Sequence, residues 1–242
     1  MKKPLLGVSI TIDSKEDILH TIEQYLLEKS SKTPFIIVTP NPEQIMLSRQ
    51  QSTFLTILNH ANIAIPDGAG LVWAMRFVNG VTVHRISGVD FVSDFVHLAH
   101  KHHMTIGCIG GRNGVAKKAL AVLRSSYEEL SGWAMEPEDM SIEKMATHIE
   151  NSNTKIVFVG LGAPKQEQYI ESLRKKCHHV VLMSVGGSFD IISGNVPRAP
   201  GWIQDMGLEW LYRLIREPWR LKRQTRLIAF VVSVCIERLF RK

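Results

Sequence analysis

Short runs of β-branched and aliphatic residues alternate with helix-length amphipathic segments along this chain, and that alternation restricts the fold more than any other feature. Gly7–Thr11, Phe35–Thr39, Ala61–Ile65, Thr105–Ile109, Lys155–Gly160 and Val180–Val185 predict strands. Between them Lys15–Glu28, Glu43–His60, Asp90–His103, Val115–Leu130, Ile142–Asn151 and Gln166–Lys176 predict helices. Strands joined through helical crossovers pair in parallel, and a mainly parallel sheet buries both its faces under helices. The expected class is therefore α/β. Sheets of this kind bind ligands outside the carboxyl ends of their strands.

At four of those ends the sequence turns polar. Thr39-Pro40-Asn41-Pro42-Glu43-Gln44 follows the second strand and Pro66-Asp67-Gly68-Ala69-Gly70 the third. Gly162-Ala163-Pro164-Lys165-Gln166-Glu167 follows the fifth and Gly186-Gly187-Ser188-Phe189-Asp190 the sixth. Prolines and glycines suit sharp strand-to-helix turns, and the helix N-termini beyond them offer free N–H groups to phosphate. Any single cluster is accounted for by capping, with Asn41, Asp67 or Ser188 closing a turn or a helix. Four together point to a binding edge.

A chain of 242 residues, 45% hydrophobic, can bury one substantial core. Cys108, Cys177 and Cys235 are odd in number and lack CxxC spacing, so they read as reduced thiols in a cytosol, without a disulfide framework or zinc knuckle. Lys2 and Lys3 precede an apolar stretch, Leu5 to Ile12, that Asp13 ends with no small-residue cleavage site, so it reads as a first strand and not as a signal peptide. Charge is uneven. Residues 196–242 hold ten Lys and Arg against four acids, while 1–195 hold 19 of each, so the whole net charge of +6 sits at the C-terminal end. Such a tail suits an anionic partner, and the plainer alternative is a solvated basic helix face.

The sequence resembles the WecG/TagA/CpsF glycosyltransferases over essentially its whole length. The resemblance is carried by Thr39-Pro40-Asn41-Pro42-Glu43, Ile65-Pro66-Asp67-Gly68-Ala69-Gly70 with Trp73, and Arg85-Ile86-Ser87-Gly88. Gly162-Ala163-Pro164-Lys165-Gln166-Glu167, Gly186-Gly187-Ser188-Phe189-Asp190, Arg198-Ala199-Pro200 and Gly207-Leu208-Glu209-Trp210-Leu211-Tyr212-Arg213-Leu214 complete it. It implies inverting transfer of N-acetylmannosamine, or its uronic acid, from a UDP-sugar to N-acetylglucosamine on undecaprenyl diphosphate. It also implies metal independence, with Asp67 as base and Thr39 and Asn41 positioning donor or acceptor.

An inverting transfer needs a base for the attacking hydroxyl and stabilisation of the departing diphosphate. Asp67, on a glycine-rich turn at a strand end, is the candidate base; a turn-stabilising Asx residue is the competing reading. Asp-x-Asp, the usual metal-holding motif of nucleotide-sugar transferases, occurs nowhere, so cationic side chains and helix N-termini must neutralise the leaving group. Arg85, Gln166, Gly186 and Gly187 are the candidates in the core, joined by Arg213, Arg216, Arg220 and Arg223 of the tail. His97 and His100 share a helix face near His102 and His103, but without carboxylate or thiolate at ligand spacing they read as a polar helix end and no metal site is expected.

In the tail, Trp210, Leu211, Leu214, Ile215 and Trp219 alternate with those arginines at helical spacing, with a break at Pro218. The apolar run Leu227–Ile236 has ten residues, about half of the ~20 that cross a bilayer, so it should lie on the membrane; packing on the core or on a second subunit is the alternative. The expected organisation is thus a Rossmann-like catalytic core over 1–195 and a basic amphipathic, membrane-binding appendage over 196–242. The expected partners are a UDP-sugar donor, a polyprenyl-diphosphate-linked acceptor and the anionic inner face of the plasma membrane, with a homo-oligomer as one candidate assembly, and no cofactor. Two other classes compete. Gly110-Gly111-Arg112-Asn113-Gly114, with Glu136 22 residues beyond Gly114, suggests a nicotinamide enzyme, but it lacks G-x-G-x-x-G order. A noncatalytic membrane or nucleic-acid adaptor would use only the tail, and the sustained apolar run suits lipid better than nucleic acid.

Overall fold

The computed structural model describes residues 1–28, 32–111, 113–216 and 221–240, and the side chains of 226–240 but not of 221–225. Arg112, Pro218, Trp219, Arg220 and the side chain of Arg223 lie outside what is described. The expected α/β architecture is present: six parallel strands, ordered β4-β3-β8-β7-β5-β6, form the main sheet. They are β3 (Phe35–Val38), β4 (Ile63–Ala64), β5 (Thr105–Gly110), β6 (Gly132–Met135), β7 (Thr154–Gly160) and β8 (Val181–Ser184).

Alternation along the strands divides the core into two layers. Ile36 and Val38 of β3, Val157 and Val159 of β7, and Leu182 of β8 face one layer. Ile37, Ile156, Phe158, Val181 and Met183 face the other. The first layer is covered by α2 (Pro42–Ser48), α3 (Ser52–His60), α4 (Ala69–Asn79), α7 (Ile142–Asn151) and α8 (Lys165–Arg174). The second is covered by α1 (Lys15–Leu27), α5 (Gly88–Lys101), α6 (Val115–Ser126) and α9 (Ser188–Ile192). Both faces are dry, which is why the strands read as continuous apolar runs.

Three expectations change. The first strand belongs to a separate antiparallel hairpin, β1 (Lys2–Leu5) with β2 (Val8–Thr11). Leu6 and Gly7 turn it with φ of 49° and 87°, the positive pair that a tight hairpin requires. Glu43–His60 is two helices: bonds from Gln50 N–H to Leu47 O and Gln51 N–H to Ser48 O tighten the end of α2 and redirect the chain, so that Phe54 and Leu58 of α3 reach the core. The helix begun at Val115 ends at Ser126 and is followed by β6, whose Gly-Trp-Ala-Met sequence has no β-branched residue to announce a strand.

The C-terminal segment forms α10 (Gly201–Asp205), α11 (Glu209–Arg216) and α12 (Leu221–Phe240). No helix among the described residues is long and apolar enough to cross a membrane. On α12, Phe230 and Val234 are fully buried in the first core layer, and Glu237 accepts the Leu6 N–H at 2.8 Å. The opposite side carries a second apolar row, with Ile228 70%, Val232 53% and Ile236 50% exposed.

Candidate active site

Strand order locates the chemistry before any side chain is considered. From β5 the chain moves outward to β6, whereas from β7 it moves the other way to β8, so the switch point falls between β5 and β7. Their last residues, Gly110 and Gly160, are packed too closely for side chains. A Cβ on Gly110 would meet Gly160 O at 2.6 Å, and one on Gly160 would meet the Phe189 ring at 2.7 Å. A cleft of about 1240 Å³ opens there and runs along the strand ends to β3 and β4.

Most of the sequence-nominated residues line this cleft, including Thr39, Asn41, Asp67, Arg85, Gln166 and Arg213. Gly186 and Gly187 line it as well. Arg216 does not; it is exposed, its guanidinium 5.6 Å from the Tyr212 ring centroid. Asn41 has a structural task, because its Oδ1 accepts the Gln44 N–H at 3.0 Å and caps α2. The Thr39 hydroxyl donates to Ser184 O at 3.3 Å, tying the ends of β3 and β8 together.

Asp67 follows β4, with its N–H donating to Pro40 O at 3.1 Å, and Gly68 beside it has a φ of 88° that favours glycine. Solvent still reaches part of the residue, but its carboxyl is surrounded at the cleft floor. Burial pushes its pKa up to about 6, against the pull of the Arg85 and Arg213 guanidiniums, and Glu209 adds to the rise. Such a carboxylate is ionised at neutral pH yet basic enough to accept a proton.

Arg85 is not a free cation. It pairs with Glu209 of α11 and donates to Gln204 O at 3.1 Å, which fixes the C-terminal segment beside Asp67. Sequence reasoning passed over Arg226, which lines the cleft from α12 and reaches Glu43 at 3.2 Å. It also passed over Lys118 on the cleft wall, whereas Lys165, also on that wall, belongs to the polar cluster after the fifth predicted strand. Lone basic residues on helices give no local signal, and only the fold assembles them. Glu136 is engaged as well, with Oε1 accepting the Gly114 N–H at 3.0 Å. His97 and His100 lie against Tyr127, while His102 meets Glu23 at 2.6 Å.

Comparison with known proteins identifies relatives along most of the chain. N-acetylglucosaminyldiphosphoundecaprenol N-acetyl-beta-D-mannosaminyltransferase of Bacillus subtilis (strain 168) is 32% identical over 224 residues, 91% of this chain and 86% of its own. The enzyme of the same name from Staphylococcus aureus (strain MRSA252) is 28% identical over 238 residues, 96% of this chain and 92% of its own. The profile of the glycosyl transferase WecG/TagA/CpsF family matches residues 3–242, and a cleft at the carboxyl edge with a raised carboxylate is a site that such chemistry can use; the chain belongs to that glycosyltransferase family.

Proposed function

We propose that the chain transfers N-acetylmannosamine from UDP-N-acetylmannosamine, with inversion, to N-acetylglucosaminyl-diphospho-undecaprenol; the names of its relatives give the same transferred sugar and the same acceptor for them. The observation that carries the reading is Asp67, a carboxylate with a raised pKa at the floor of the cleft, flanked by Arg85 and Arg213. Asp67 takes the proton of the acceptor hydroxyl as it attacks the anomeric carbon, and the UDP leaves with the glycosidic electron pair. Arg213 and the backbone N–H of Gly187 meet the charge that develops on the diphosphate, without a metal. Thr39, Asn41 and Gln166 position substrate along the wall, the exposed Arg216 serves the bilayer, and Arg220 and Arg223 supply further positive charge around the diphosphate or the bilayer.

Residues 1–195 act in this reading as the catalytic core and 196–242 as an appendage at the inner membrane face. The outward row Ile228, Val232 and Ile236 supports lipid contact, with the exposed Arg238 on the same helix for anionic headgroups. The test is incubation with a panel of UDP-sugars and a short-chain lipid diphosphate N-acetylglucosamine, followed by product mass and linkage. UDP-N-acetylmannosamine should give a product one N-acetylhexosamine heavier. Transfer of a uronic acid or of glucose instead would overturn the donor assignment, and absence of any transfer would overturn the reaction.

A further inference from the structure

Two consecutive polar side chains in the first turn of α8 are entirely buried: Gln166 and Glu167 are each 0% exposed. Residues of these types stay in a core only when partnered. The Gln166 amide is held at both ends. Its Oε1 accepts the Gly186 N–H at 3.0 Å, and its Nε2 donates to Glu167 Oε1 at 2.7 Å. Gln166 lines the cleft and Glu167 lies behind it.

The surroundings of Glu167 are sparse. Its Oε2 has no hydrogen-bond partner, and neither does the Ser184 hydroxyl, which is near enough to lower the carboxyl's pKa without forming a well-shaped bond. Burial is the stronger influence and pushes that pKa up to about 6. A charged group in this position asks for a task that a leucine would not perform.

The chemistry of a primary amide supplies one. Its oxygen and nitrogen occupy nearly equivalent positions, so a half-turn exchanges a donor for an acceptor. The Gly186 N–H can only donate, and an ionised Glu167 can only accept. Gln166 stands between them, so one orientation is satisfied and the other sets donor against donor and acceptor against acceptor. In the satisfied orientation one Nε2 hydrogen goes to Glu167, and the second has no acceptor among the described residues.

We propose that Glu167 is a positioning residue for glycosyl transfer, fixing the Gln166 amide so that its remaining N–H is presented to an anionic oxygen of the donor's diphosphate. This rests on the nucleotide-sugar reading above. Gln166 touches the ligand; Glu167 acts through it.

The experiment uses the full chain and three variants, read by calorimetric titration with UDP, steady-state kinetics and thermal unfolding. Glu167→Gln keeps an acceptor oxygen facing Gln166 and should retain binding and turnover within about threefold. Glu167→Met removes the acceptor, frees the amide to turn, and should lower kcat/KM by about 10²-fold, the effect of losing one preorganised donor. The exchange Gln166→Glu with Glu167→Gln conserves buried charge, volume and both internal hydrogen bonds, but turns an acceptor toward the cleft. It should unfold at the wild-type temperature and bind UDP about 10²-fold more weakly.

Wild-type UDP affinity in the exchanged variant, or wild-type kcat/KM in Glu167→Met, overturns the proposal. So does a Glu167→Met defect whose binding and melting temperature are both restored by the exchange, since that makes Glu167 a scaffold residue only. If Glu167→Met does not fold, the exchanged variant decides alone. Failure of the wild type to bind UDP removes the nucleotide-sugar reading itself, and the positioning role with it.

Discussion

The carboxyl edge of the sheet and the C-terminal segment share one cleft, yet different forces hold them. The edge is set by backbone geometry: Gly110 and Gly160 in contact, Thr39 bonded to Ser184 O, and Asp67 N–H bonded to Pro40 O. The C-terminal segment is attached by side chains. Arg85–Glu209, Arg198–Asp90 at 2.6 Å and Arg226–Glu43 at 3.2 Å join it to the core, with Phe230 and Val234 buried beneath α12. Partly exposed ion pairs contribute little each, so apolar burial does most of the attaching. Half the site is therefore built as a floor and half is docked as a wall, and the two should fail separately.

The largest effect belongs to the floor. Asp67→Asn should leave both regions in place and reduce transfer by about 10²–10⁴-fold, the value of a general base, with an unchanged circular dichroism spectrum. Turnover near wild type would remove Asp67 from the mechanism. In the wild type, kcat/KM should fall as pH drops through about 6, where the carboxyl takes up its proton. Stability moves the other way. The folded-state pKa is raised, so the cost of ionising Asp67 grows between its ordinary value of 3.8 and about 6 and is complete at neutral pH. Asp67→Asn should accordingly stabilise the protein at neutral pH by on the order of 1 kcal/mol, and not at pH ~3.

Breaking the wall comes next. Phe230→Ala should cost about 3–5 kcal/mol of α12 docking, and native-state hydrogen exchange should quicken in α12 while β7 stays protected. Loss of protection in both together would mean that floor and wall form one cooperative unit. Arg216→Ala is a smaller perturbation: because Arg216 lies outside the cleft, it should lower affinity for anionic vesicles by about 1 kcal/mol and leave turnover of a soluble acceptor unchanged. The smallest effect is expected from EDTA, since the proposed mechanism has the diphosphate met by cationic side chains and backbone N–H groups. Turnover should survive it, and restoration by magnesium or manganese after a loss would refute the metal-free mechanism.

Sequence periodicity disclosed the layers well because strands buried on both faces are continuous apolar runs. It did not disclose partners. The hairpin at Leu6-Gly7 and the edge strand β6 depend on a turn and a neighbour that local composition does not announce. Within the site, Asp67 was legible from its glycine-rich turn. Arg85 was legible as a cleft residue but its pairing was not, because Glu209 lies 124 positions away in sequence. Arg226 had no local signal at all. Charge that is delivered by a helix from far along the chain is visible only once that helix has docked.

The pairing of β3 with β8 also dictates when this protein can come into being. Phe35, Ile36 and Ile37 lie opposite Val181, Leu182 and Met183, so β3 and β4 have no bond to β7, β5 and β6 except through β8. During synthesis the ribosome must make nearly three-quarters of the chain before those two pieces can be joined. Until then Asp67 sits on a two-strand fragment with one edge bare, a form that nascent chains expose to aggregation. In pulsed hydrogen exchange during refolding, β3 amides should gain protection together with those of β8 and not with the adjacent α2.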